Sequence, residues 1–415
     1  MLAVGSTPAV AQTREALPEG IPIGHWIVAP FFASELTFDD NLFRSPDGNL
    51  QEEDRLTALE AGLVATLPFR NSRLNLEYEA SRFEYAENAF TRDTTQDFKL
   101  DLAFNFSSGD TLEVQEQYTK GFSDLRVFDE GGQLEFEGQP FNYNQVDLRM
   151  SRSVRRQQGY SIRVSRRDLN FVGDNEVPFF DYRGFDSSFE FRQPLAGAKW
   201  LIAYYGSRRF NHYEANTPEE VGNPIRKETT DSLQLGLRGF LGPEQPFVVR
   251  LGYTDFAYEG TDSLGFNGLV GFTRWLLRFG ASSELDLSFS RRPLPSNFDT
   301  FYLINEFRSR FSRDILRNGS LGIEFLAAKN KYGAPVGLGG TVGEERVDCG
   351  AGFSKGFEDF IRKDERFRLR ASLGWRIHPR MRFELSAAQS KRSSNCAISE
   401  YDATVVRGNL SVGWF

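Results

Sequence analysis

Nowhere does this sequence hold a run of about 18 apolar residues, so no helix in it is expected to cross a membrane. Mean hydropathy of −0.43 with 26% charged residues excludes a bundle of such helices as well. No long window carries a helical period. Histidine is scarce: His25 precedes the first apolar segment, His212 falls at the edge of a long polar link, and His378 sits in a short turn. Groups that far apart do not converge on a triad or a shared metal ion, so no catalytic residue, metal or cofactor is expected. Basic excess is missing too. A formal charge of −8 argues against a nucleic acid partner.

What the chain does have is aromatic residues, with 39 Phe and 14 Tyr favouring strands over helices. It also has alternation. In RLNLEYEA (73–80), Leu74, Leu76, Tyr78 and Ala80 share one parity, while Asn75, Glu77 and Glu79 share the other. Successive side chains of a strand point to opposite faces, so one face here is apolar and the other acidic. FKLDLAFNF (98–106) repeats the pattern, as do Leu233, Leu235 and Leu237, then Val249, Leu251 and Tyr253, and near the end Phe367, Leu369, Ala371, Leu373 and Trp375. A soluble all-β protein would need a second layer to cover so many one-sided strands, and no helices are at hand to supply it. A closed sheet with lipid outside and water inside needs none.

The links between these segments alternate in length. Short ones fall at 68–72, 107–110, 155–159, 194–198, 241–246, 280–283, 314–319 and 378–380, and long polar ones near 121–141, 172–182, 214–228 and 331–365. Short periplasmic turns opposite long extracellular loops are the asymmetry of an outer-membrane barrel. The turns predict an all-β fold: a single antiparallel up-and-down transmembrane β-barrel of about 18 strands, or 16 if the hairpin around 264–292 is misread. RVDCGAGFSK (346–355) is assigned to an extracellular loop, because counting it as a strand would leave the C-terminus on the wrong side. Residues 1–11 read as a signal-peptide remnant, with Ala9-Val10-Ala11 fitting the cleavage pattern. Residues 12–29 read as a periplasmic N-terminal extension and 30–415 as the barrel.

Parity also sorts the charges. Glu60, Glu77, Glu79, Asp101 and Glu113 are expected to line one wall of the lumen. Arg149, Arg163, Arg192, Arg238, Arg250, Arg308, Arg310, Arg368, Arg370, Arg376 and Arg382 are expected to line the other, because arginine on the lipid side would cost several kcal/mol. Opposed acidic and basic walls are what pores use for selectivity; paired across the lumen, they would simply solvate it. Arg308, Arg310, Arg368 and Arg370 are expected to carry a modest anion preference. Asp39-Asp40-Asn41 is read as strand-end turn chemistry rather than a calcium loop, lacking the alternation of ligands. GLGGTVG (337–343) is read as an extracellular loop rather than a nucleotide loop, since no helix follows it. Cys349 and Cys396 fall in neighbouring long loops, and a disulfide between them is expected.

FDDNLFR (38–44), KRSSN (391–395), EYDAT (400–404) and RGNLSVGW (407–414) carry a resemblance to the bacterial outer-membrane β-barrel porins of type 2, a family often found beside exopolysaccharide gene clusters. The resemblance runs across most of residues 30–415. It implies a passive conduit tied to polysaccharide export, with outer-membrane lipid, the barrel-assembly machinery, periplasmic export proteins and an acidic polysaccharide as partners, and no enzymatic residues to carry over. A general solute porin and a non-transporting scaffold or adhesin are the alternatives. Trp414 and Phe415 are expected to form the terminal assembly signal. The alternate positions counted back from Phe415 are Gly413 and Ser411, whereas Trp414, Val412 and Leu410 form the apolar face, a departure from the usual pattern.

Overall fold

The computed structural model describes residues 20–42, 44, 52–87, 92–106, 108–122, 140–153, 158–172, 180–195, 199–214, 226–242, 244–259, 265–295, 301–332, 363–394 and 400–413. A short strand, β1 (Ile21–Ile23), precedes β2 (Trp26–Asp39), β3 (Asp54–Phe69), β4 (Ser72–Tyr85), β5 (Arg92–Asn105), β6 (Thr111–Phe122) and β7 (Pro140–Ser153). Then come β8 (Gly159–Phe171), β9 (Phe180–Leu195), β10 (Lys199–Glu214), β11 (Arg226–Phe240), β12 (Pro246–Glu259) and β13 (Phe266–Phe279). The last are β14 (Ser283–Pro295), β15 (Phe301–Ile315), β16 (Gly319–Tyr332), β17 (Lys363–His378), β18 (Met381–Ser394) and β19 (Tyr401–Gly413).

From β2 to β19 each strand pairs antiparallel with the next, and β19 pairs with β2, which closes the sheet into a barrel of 18 strands. No helix occurs among the described residues. All eight short links fall where the turn-rich stretches put them. Gly109 and Gly280 supply the left-handed conformation two of these turns require, at φ 85° and 66°. Two others impose it on Arg70 (φ 51°) and on the exposed Leu316 (φ 59°). The segment 346–355 and the glycine-rich 337–343 lie outside the described residues.

One boundary differs from the sequence reading. The first barrel strand begins at Trp26, inside the stretch assigned to an extension, and Ile21–Ile23 fold back on it in register Ile21↔Val28 to Ile23↔Trp26. β19 reaches only as far as Phe31 along the same strand, so β1 pairs the part of the β2 edge that β19 leaves open. An open edge of unpaired amides is costly wherever water is excluded, which gives this hairpin its purpose.

Parity divides the middle of the wall, while toward the long links the outer parity also carries ion pairs such as Arg209–Asp231 and Lys329–Glu365. Leu251 is 68% exposed and Leu269 71%, and Leu233, Leu235, Phe289 and Leu373 stand out on the same outer face. At a rise of about 3.3 Å per residue and a tilt of about 40°, strands of this length span roughly 35 Å, enough to cross the ~30 Å hydrocarbon core of a bilayer. The inner face changes with height. Toward the long links it carries three buried clusters: Leu294, Tyr302, Ile304, Leu326 and Tyr332; Phe141, Tyr143, Leu169, Tyr182 and Phe210; and Leu42, Leu56 and Tyr85. Toward the short links it is polar, charged and more exposed, as at Arg149, Arg382 and Arg376.

Candidate functional site: the charged lumen

β3 to β6 bring their acids together because neighbouring strands place them at adjoining register positions. Gly62↔Glu79 and Val64↔Glu77 join β3 to β4, and Glu77↔Lys99 and Glu79↔Asp97 join β4 to β5. Lys99 sits in the middle, 3.1 Å from Glu77 and 3.9 Å from Asp97. Glu60, Glu79 and Asp101 have no ion-pair partner among the described residues, so this wall keeps a net negative charge. Glu113, one strand further on, is 3.7 Å from Arg149.

The eleven arginines share the inner parity, opposite the exposed leucines and phenylalanines. Most of them have acid beside them. Arg163 pairs with Asp147 at 2.7 Å, Arg192 with Glu190 at 3.8 Å and Arg308 with Glu306 at 3.3 Å. Arg310 donates two hydrogen bonds to Glu324, at 2.8 and 3.2 Å. Glu384 lies 3.4 Å from Arg370 and 3.6 Å from Arg382. Arg238, Arg250, Arg368 and Arg376 have no carboxylate at ion-pair distance among the described residues. The quartet Arg308, Arg310, Arg368 and Arg370 does come together, through the strand between its two halves: Arg310↔Glu324↔Arg370 and Arg308↔Leu326↔Arg368. Sequence reasoning passed over Glu324, which shares the lumen parity and takes up part of that charge.

A cavity of about 480 Å³ opens in the wall from β8 to β14. Arg163, Arg167, Arg208, Arg250 and Arg292 reach it, beside Ser165, Thr230, Ser232, Thr254 and Ser290 and the rings of Tyr204, Phe256 and Phe272. Arg208 is held by Asp186 at 2.9 Å and Glu228 at 3.5 Å, and Arg167 by Asp186 at 3.4 Å. Arg250 is held by aromatic faces, its guanidinium carbon 5.1 Å from the Tyr204 ring and 5.4 Å from that of Phe272. A second, smaller cavity of about 290 Å³ lies at the short-link mouth, lined by Arg376, Arg382, Glu384, Met381, Asn409 and Ser411.

Asp39-Asp40-Asn41 joins the two ends of the chain. Asp40 Oδ1 accepts the Thr404 amide at 2.6 Å while the Asp40 amide donates to Thr404 O at 3.2 Å. Asn41 Nδ2 donates to Asp402 O at 2.9 Å. Asp39 accepts from both ends of the Arg44 guanidinium, at 2.6 and 2.7 Å, and that guanidinium stands 6.0 Å over the Tyr401 ring. These are structural bonds at the β2–β19 seam. The FDDNLFR and EYDAT stretches thus meet in space.

His378 ends β17 at the short-link side, His25 lies in the β1–β2 turn, and His212 lies on β10 toward the long links. No group of three or more His, Cys, Asp or Glu is disposed to hold a metal among the described residues. Cys349, Cys396, Trp414 and Phe415 lie outside the described residues.

No family model matches the chain, and no curated protein matches it. Among solved structures it is similar to the outer membrane protein OpdK of Pseudomonas aeruginosa bound to vanillate, at 10% identity and a TM-score of 0.49 over 93% of this chain and 99% of that one. The siderophore receptor PirA of the same organism is similar at 8% identity and a TM-score of 0.47, over 94% of this chain and 80% of that one. The FrpB iron transporter of Neisseria meningitidis is similar at 9% identity and a TM-score of 0.49, over 90% and 63%. These are likenesses of architecture, and nothing of their cargo is carried to this chain.

Proposed function

We propose that this chain is an outer-membrane channel of a Gram-negative cell that passively conducts acidic saccharide, with exopolysaccharide export as its service. One observation carries the reading: a closed sheet bare and apolar outside is lined inside by arginines, hydroxyls and aromatic rings. Lipid is the solvent that suits the outside, because leucines such as Leu251 and Leu269 are worth about 1.5–3 kcal/mol each when removed from water. Inside, guanidinium takes carboxylate through paired donors, and hydroxyls take sugar hydroxyls. Many weak sites along a wall allow cargo to enter and also to leave. The resemblance to porins beside exopolysaccharide clusters supports the same cargo.

A second reading, a general solute channel, is favoured by the buried apolar clusters of the long-link half, which suit short solutes better than a polymer. Planar bilayers test both. Purified barrel is expected to give stepwise conductance that acidic polysaccharide blocks and neutral polysaccharide does not. Conductance indifferent to both polymers would leave the general channel. A barrel that carries no current would refute transport and leave the scaffold or adhesin.

A further inference from the structure

Arg250 stands apart from the other arginines of the large cavity. It lies on the lumen face of β12, paired across the sheet with Gly236 on β11 and Phe272 on β13. Its Nε is buried without a hydrogen-bond partner. Phe272 flanks it directly. Tyr204 reaches it from β10, two strands away, and it can do so because Gly236 between them has no side chain: a Cβ there would stand 2.8 Å from Arg250 Cγ and 2.1 Å from Val249 O. Gly206 clears the same floor, since a Cβ on it would stand 2.7 Å from the Tyr204 hydroxyl. Two rings hold the guanidinium in place, and two missing side chains keep the space beside it empty.

The walls of this space are polar and under-bonded. Ser165 Oγ and Thr230 Oγ1 are buried without a hydrogen-bond partner. Ser232 accepts from Thr254 at 2.8 Å and from Gln234 at 3.0 Å, a short chain of hydroxyl and amide along the same face. Natural structures rarely leave several buried donors and acceptors unmet side by side, unless something else meets them. The volume of about 480 Å³ falls within the range of small-molecule sites, roughly 300–1,000 Å³.

Charge narrows the ligand. Arg163, Arg167 and Arg208 already face Asp147, Asp186 and Glu228. Arg250 has no carboxylate at ion-pair distance among the described residues, and Arg292 donates to Ser290 Oγ at 2.7 Å, so the lining is net positive and Arg250 is the guanidinium that an entering carboxylate meets. We propose that the recess around Arg250 is a binding subsite for a single carboxylate-bearing sugar unit, a uronate, with its carboxylate on the Arg250 guanidinium and its hydroxyls on the Thr230, Ser232 and Thr254 wall. This rests on the reading of the barrel as a saccharide channel and names which unit the wall selects. A neutral hexose leaves Arg250 unmet.

The test is current block of the reconstituted barrel by D-glucuronate, with D-glucose and D-glucose 6-phosphate as comparison probes. Glucuronate is expected to block, and Arg250→Gln to weaken that block about tenfold, the effect of losing one charge-assisted pair. Thr230→Val, which leaves every charge in place, is expected to weaken it severalfold. Lys329→Gln, which removes one positive charge from the outer face of β16, is expected to change nothing. Equal block of wild type and Arg250→Gln, or block by glucose or glucose 6-phosphate as strong as by glucuronate, would overturn the assignment. Should the barrel carry no current, the channel reading fails by itself. Calorimetric titration of glucuronate into the detergent-solubilised barrel then decides the subsite: heat lost in both variants supports it, and heat unchanged in both overturns it.

Discussion

Glu324 is the lever on ion selectivity. It stands between Arg310 and Arg370 on adjoining strands and accepts two hydrogen bonds from Arg310. Glu324→Gln keeps the shape and removes one negative charge from the lumen wall. Arg368→Gln removes one positive charge and breaks no ion pair among the described residues. An ion passing about 6 Å from a fixed charge in water feels ~0.7 kcal/mol. Screening over a Debye length of ~10 Å at 0.1 M salt leaves ~0.4 kcal/mol, felt with opposite sign by anion and cation, so about a fourfold change in the anion-to-cation permeability ratio. At 1 M salt the Debye length is ~3 Å, and the change falls to about 1.4-fold. The assay is the reversal potential of the reconstituted barrel under a salt gradient. Glu324→Gln should shift it toward anions and Arg368→Gln toward cations, by similar amounts that shrink as salt rises. Shifts of the same sign, or shifts that persist at 1 M, would refute the placing of both groups on the conducting path.

Three further outcomes are open to measurement. Leu251→Arg puts a charge on the outer face and should destabilise the barrel by about 2–4 kcal/mol in denaturant titrations in lipid vesicles, whereas Ser232→Arg on the inner face should cost far less. Asp40→Ala removes a half-buried acceptor at the seam and should cost about 0.5–1.5 kcal/mol, seen as a lower temperature at which the fast-migrating unheated band converts to the slow one; an unchanged temperature would show that the seam does not depend on it. Cys349 and Cys396 are expected to resist a thiol reagent until reduced, and full labelling of both without reductant would exclude the bond.

The architecture was legible because lipid and water sort side chains at every second residue, and because each short turn carries its own Gly, Pro or Asn signal. RLNLEYEA alone states both faces, and the eight turns state the strand number. The partners of the arginines were harder to read. Glu324 and Arg370 belong to strands joined by a long link, and no local signal tells which residue of β16 stands opposite which residue of β17. The buried inner clusters were missed for a different reason. In YLIN (302–305), Leu303 takes the outer parity and Tyr302 and Ile304 the inner, so alternation vanishes where both faces turn apolar. Such a run is itself the signal that the inner face has turned apolar. The Arg250 recess left no trace in the sequence, because it depends on Tyr204, Gly236 and Arg250, which stand on three successive strands and meet only through their register.

The β2–β19 seam is also the one pairing in the ring that no connecting link promotes. Every other pair of strands is held close by the residues that join them, whereas Asp39 and Val405 are separated by almost the entire chain, and closing so long a loop has the highest entropic cost of any pairing here. Until it closes, the first and last strands are both free edges, and a second copy of the chain could pair with either. Asp40 and Asn41 bond backbone groups of Thr404 and Asp402, groups every chain presents. What favours closure on the same chain is therefore concentration: within one nearly finished ring the two edges face each other, and any condition that crowds unfinished rings together shifts the outcome toward exchanged strands.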